Sequence, residues 1–180
     1  QGQEKSQQQQ EQMIWSKIDH AVNELHNKWN QFAPEAVKSG ASKAQIDGFG
    51  NQLNNLTKHA LAKNQNTTAL AANYVYMFIP DFMALGKPNV PPDIKRIKYY
   101  IRDALFSSSN ANWSQAETSL SQAKSTWGVV QSGVSKEKQE DARRFEYSLY
   151  ELEKVIKDKY MQLITIKSAL AINNLNAIEK

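Results

Sequence analysis

The chain has no cysteine. Disulfides, thiolate metal sites and cysteine nucleophiles are therefore excluded, while the redox compartment stays open. Glycine and proline are scarce, seven and five among 180 residues, so long helices meet few interruptions. No apolar run reaches the roughly 20 residues needed to span a bilayer. Charge of one sign is not in large excess either: 22 Lys and Arg against 18 Asp and Glu leave a formal +4. So mild an excess suits an anionic envelope polymer without requiring one. The densest basic cluster, Lys95, Arg96, Lys98 and Arg102 with Tyr99 and Tyr100 among them, reads better as an ordinary solvated helix face than as a nucleic-acid surface. No nucleic-acid partner is expected.

The signatures of catalysis are missing as well. There is no Gly-rich phosphate loop, nucleophile elbow or HExxH. The three histidines are His20, His26 and His59. His20 lies one turn before Glu24, but no second pair of ligands accompanies them. A di-iron bundle needs Glu-x-x-His twice with two further carboxylates, and no such motif occurs. Haem ligation by His26 or Met77 has no pattern behind it. Glu137, Glu140, Asp141 and Glu146 alternate with Lys and Arg at helix spacing, as on a salt-bridged solvent face. They do not form the pocketed carboxylate pair that acid–base work needs. The expectation is a non-enzymatic protein with no cofactor and no metal.

What the chain does have is aromatic residues, four Trp, seven Tyr and six Phe, enough to build a packed core. From Met13 the apolar residues keep a 3-4 rhythm: Trp15, Ile18, Val22, Leu25, Trp29, Phe32. That is a helix stripe, with Pro34 and Ser39-Gly40 expected to end it. A second stripe runs from Ile46 to Ala60 behind Ser42, a plausible N-cap. A third segment carries Leu70, Tyr74, Met77 and Phe78 up to Pro80, which should end or kink it. Further on, Trp113 opens a stripe to Val130. The longest pattern follows, from Ala142 through Tyr160 to Leu170, without a Pro or Gly.

These stretches match in order. Trp15-Ser16 and Trp113-Ser114 each precede a second Trp by fourteen residues, at Trp29 and Trp127. Phe49, Leu53, Leu56 and Lys58 fall in step with Phe145, Leu149, Leu152 and Lys154. ALAAN at 69–73 pairs with ALAIN at 169–173, with four extra residues, about one helical turn, before it. The reading is an internal duplication. The expected fold class is all-α: an antiparallel helical bundle of two tandem three-segment repeats joined by a Pro-rich crossover with a short helix. In domain terms, 1–12 is a flexible Gln-rich leader and 13–180 one helical-bundle domain. Within it, 13–79 is repeat one, 80–112 the connector and 113–178 repeat two. Asn73, Asn173 and Lys167 interrupt the stripes and are expected at the seam edge.

The unrepeated segment 80–112 holds four of the five prolines, and Pro91-Pro92-Asp93 is a good helix start. The connector role is the simplest reading. Irregular segments on a rigid scaffold also carry function, so Tyr76, Asp81, Lys95, Arg96, Tyr99, Tyr100 and Arg102 are the candidate partner-binding residues.

The W-x13-W spacing, Ala71-Ala72-Asn73 running on to Ile79-Pro80-Asp81-Phe82, and Pro92-x3-Arg96-x2-Tyr99-x2-Arg102-Asp103 together resemble a group of helical bacterial cell-envelope lipoproteins without an assigned activity. The resemblance covers most of the chain after residue 12. It implies an extracytoplasmic, membrane-anchored location through a lipid, although the lipid-bearing Cys of such proteins is lacking here. The function expected is an extracytoplasmic binding or scaffolding module that contacts a protein or an anionic envelope polymer. The alternative is a bundle that carries a small ligand, haem or metal.

Overall fold

A computed structural model describes residues 1–180. It is all-helical, 85% helix without a strand, in a bundle-like packing. The chain divides into two compact units, Gln1–Phe78 and Ile79–Lys180.

The first unit holds α1 (Gly2–Lys38), α2 (Lys43–Leu61) and α3 (Gln65–Tyr76). α1 departs from expectation at both ends. It runs through the Gln-rich stretch assigned to a flexible leader, because Gln, Glu and Lys are good helix formers and add turns cheaply to a helix already nucleated. Pro34 lies inside it and does not end it; a proline in the last turns forfeits one backbone hydrogen bond. The stop comes at Gly40, with φ +100°, where the Gly40 and Ala41 N–H groups donate to the Val37 and Ala36 carbonyls at 3.0 and 2.9 Å. This is the paired closure that a left-handed residue makes possible.

Ser42 is the N-cap of α2, as expected: its hydroxyl accepts from Gln45 N and the Gln45 side chain accepts from Ser42 N. Each half of such a box satisfies one amide left over at the helix start. Asn64 caps α3 through Thr67 N at 3.0 Å. α2 packs against both α1 and α3. One end of this three-helix array is plugged by aromatic rings: Trp29 on Phe49 at 4.1 Å and Phe49 edge-on to Phe78 at 6.1 Å. Gly48 lets the Phe78 ring lie directly on the α2 backbone, since a Cβ there would come within 2.7 Å of it.

The second unit holds α4 (Ile79–Met83), α5 (Pro92–Ser109), α6 (Trp113–Val130), α7 (Gln139–Lys157) and α8 (Met161–Glu179). Pro80 lies in the first turn of α4, where its missing N–H costs nothing. α5 starts as expected at Pro92 with Asp93 in its first turn. The expected unbroken stripe from Ala142 to Leu170 is interrupted at 158–160. Lys159 takes φ +54°, and the Tyr160 and Lys159 amides close α7 on Val155 and Ile156. A lysine there gives no glycine signal, and Tyr160 and Leu170 end up exposed.

α5 packs against α6 and α8, and α7 packs against the same two helices. These contacts close a ring of four. Ile97, Ile101, Phe145, Leu152, Ile164 and Leu175 are fully buried inside it, each contributing about 2–3 kcal/mol of apolar burial. Trp127, also buried, meets Phe145 edge-on at 4.8 Å.

Candidate functional site

In the basic cluster of α5, Lys95, Arg96 and Lys98 are committed to ion pairs inside the second unit. Arg96 reaches Asp81 of α4 and Asp93 one turn back, both at 2.6 Å. Burial works against its charge, but the two carboxylates outweigh that and raise its pKa. Lys95 pairs with Glu179 at 2.5 Å, and the buried Lys98 bonds the same carboxylate. Burial lowers the Lys98 pKa, with Glu179 only partly offsetting it and Lys95 adding repulsion. For Glu179, burial opposes ionisation, yet hydrogen bonds from Lys95 and Lys98 hold its carboxyl below the ordinary value. Tyr99 and Tyr100 meet edge-on at 5.3 Å. Both are half-buried, as are Arg102 and, on α3, Tyr76. The structure therefore groups Asp81 with Arg96, stacks the two tyrosines, and takes Lys95 to the end of α8. Tyr76 belongs to the other unit. A second brace ties α5 to α6: the buried Asp103 accepts from Ser119 and from Gln115 Nε2, the latter at 3.0 Å.

Other polar residues singled out by the sequence also have structural partners. His26 donates to Thr57 Oγ1 at 2.7 Å, and that hydroxyl donates on to the Leu53 carbonyl. His20 sits on the surface 3.3 Å from Glu24. No three His, Cys, Asp or Glu side chains converge as a cation site. Lys167 pairs with Glu151 at 2.5 Å. Asn73 is not at a seam edge but buried, 3% exposed, whereas Asn173 is exposed. Ala69 is the fifth residue of α3 and Ala169 the ninth of α8; that one-turn shift keeps the same face inward, since Thr68 and Ser168, Ala71 and Ala171, and Val75 and Leu175 are all buried.

The open feature is in the first unit. α2 touches both α1 and α3, and between those two lies a groove of about 680 Å³. On the α1 side it is lined by Trp15, Ile18, Ala21 and Leu25, with Ile14 at the lip. Thr68, Ala69 and Ala72 of α3 line the other side, and Leu56 of α2 the floor. Ile14 is 56% exposed. Thr68 stands on this side with a side chain only 7% exposed, and its hydroxyl is buried, does not open into the groove and has no hydrogen-bond partner. Such a group costs about 1–3 kcal/mol unless something supplies a partner. Charged groups at the rim, Glu11 and Lys63, are of opposite sign. A cleft of about 500 Å³ beside α6 and α7 is different in kind: it is crossed by Lys124 to Glu153 at 2.7 Å. Lys124 and Lys157 hold the Glu153 carboxyl below the ordinary value there.

Sequence reasoning missed this groove. Ile14 and Ala21 stand beside Ile18 and Leu25 at helical spacing and widen the α1 stripe to one side, and that widening was the available signal. No protein-family model, curated protein or solved structure matches this chain.

Proposed function

We propose that the protein is a binding module, not an enzyme, and that it binds through the groove between α1 and α3. The observation that carries the reading is an apolar inner surface that its own chain leaves uncovered. Concave apolar surfaces with a few placed polar groups are the usual form of a binding site. An apolar lining with balanced rim charges favours a protein partner over an anionic polymer. Lys95, Arg96 and Lys98 of α5, engaged in internal pairs, serve the second unit as a brace. An extracytoplasmic, lipid-anchored setting belongs to the same proposal and rests on the resemblance of the W-x13-W and Pro92-to-Asp103 motifs.

The two-repeat reading also stands as a proposal. It is supported by the left-handed residues Lys63 and Lys159, each two residues before the next helix, and by α2 and α7 having 19 residues apiece.

The test uses an environment-sensitive apolar dye, anilinonaphthalene sulfonate, titrated into the whole chain. Saturable fluorescence enhancement is expected, and Ala21→Glu with Ala72→Glu should remove most of it. Both alanines line the groove yet are exposed, so the variant keeps its thermal stability. Equal enhancement in both proteins, or none in either, sinks the groove as a binding site. An apolar molecule that co-purifies through gel filtration would favour the small-ligand carrier.

A further inference from the structure

We infer that the groove between α1 and α3 is the seat of an amphipathic α-helix supplied by a partner chain, lying antiparallel to α1. This deepens the reading of the groove as a binding site and rests on it.

The second unit shows how such a trough is filled. There α6, α7 and α8 form a similar three-helix array, with α7 packed against the other two. The trough between α6 and α8 is closed by α5, an 18-residue helix. Short connections make each helix antiparallel to the next, so α5 runs opposite to both α6 and α8. Its seat on α6 includes Ala116, Ser119 and Ala123, which stand three, six and ten residues after Trp113 and are all buried. At the same distances after Trp15, α1 has Ile18, Ala21 and Leu25, the residues that line the open groove. The first unit has the same three sides and no fourth helix.

Dimensions and polarity agree with a helix. α1 lines the groove from Gln7 to Leu25, a rise of about 27 Å, which is the length of an 18-residue helix. Grooves of this kind take the apolar face of a helix and leave its polar face in water. The seat of α5 combines an apolar surround with a few polar contacts, Asp103 with Ser119 and Gln115 and Lys98 with Glu179.

Within Gln1–Phe78 the three helices leave this fourth side uncovered. Where α5 turns into α6, Ala111 takes φ +56° and the chain reverses. At the matching point of the first unit, Met13 and Ile14, α1 continues straight through. Its first turns are Gln-rich without an apolar stripe, so the same segment of a second copy cannot cover the groove either.

The experiment uses the whole chain and a fluorescein-labelled, end-blocked peptide copying Pro91 to Asn110. Fluorescence anisotropy should show saturable binding, weakened at least tenfold by Ala21→Glu with Ala72→Glu. The same peptide carrying Ile97→Asp and Ile101→Asp should not bind. Binding that the groove variant leaves unchanged means the peptide sits elsewhere, and the inference falls. If the apolar dye binds in the groove but the peptide does not, the helix is the wrong occupant and the binding site remains. If neither binds, both readings fail together.

Discussion

The two units solve the same packing problem to different degrees. In the second, four helices close on one another and α5 is buried along most of its length, with even Lys98 and Asp103 drawn inside and paired. In the first, α1 and α3 share one central partner, α2, and the faces of α1 and α3 that a fourth helix would cover remain apolar and open. A helix bundle is stable when each apolar stripe is covered. A unit that leaves one stripe uncovered forgoes that stabilisation and keeps the surface available for another molecule. The difference separates the residues that hold the fold from those that are free to bind.

The largest expected effect comes from breaking the closed unit at its fourth wall. Ile101 is fully buried, and Ile101→Asp puts an unpartnered carboxylate in its place. The loss should exceed about 4 kcal/mol, enough to unfold the second unit. In the open unit, Ala21→Glu should shift stability by no more than about 0.5 kcal/mol, as a surface change does. Urea denaturation of the two variants measures both; similar losses would show that the two troughs do not differ in kind.

Next in size is the ion-pair brace at the end of α8. Glu179→Gln leaves the buried Lys98 without its counter-charge, a change that typically costs about 3 kcal/mol. The same carboxylate sets an acid limit. Its folded pKa lies below the ordinary value, so the unfolded chain takes up the proton first. Its contribution is complete above the unfolded carboxylate pKa of about 4.3 and is lost as pH falls through the lower folded value. Denaturation midpoints between neutral pH and pH 3 should fall more steeply for the natural sequence than for Glu179→Gln. Parallel curves would mean that the pair contributes nothing to the closed unit.

Much of the fold was legible because its signals are local. The 3-4 stripes at Trp15 and Trp113, the Ser42 box and the Pro92-Asp93 start each lie within one or two turns of the residues they organise. The breaks were less legible. Lys63, Ala111 and Lys159 adopt left-handed backbone without glycine, so nothing in residue type marks them, and the stripe from Ala142 to Leu170 reads as continuous. The fate of the basic cluster was out of reach for another reason: Lys98 is neutralised by a residue 81 positions away. The groove is less legible still. Ile18 and Leu25 look the same in sequence whether or not a helix covers them, because coverage is a property of the assembled unit.

The smallest effect compares one glycine from each unit. Gly128 in α6 is exposed, and a Cβ there meets nothing within 4 Å. Gly128→Ala should therefore stabilise the closed unit by about 0.5–1 kcal/mol, since alanine loses less backbone entropy in a helix. The same substitution at Gly48 drives a methyl group to 2.7 Å from the Phe78 ring. Overpacking of that kind costs about 1–3 kcal/mol and offsets the helix gain. Gly48→Ala should then give no stabilisation, and it should disturb Phe78 where it plugs one end of the α1–α2–α3 array. Equal gains at the two sites would show that Phe78 swings aside freely, leaving that end without a fixed wall.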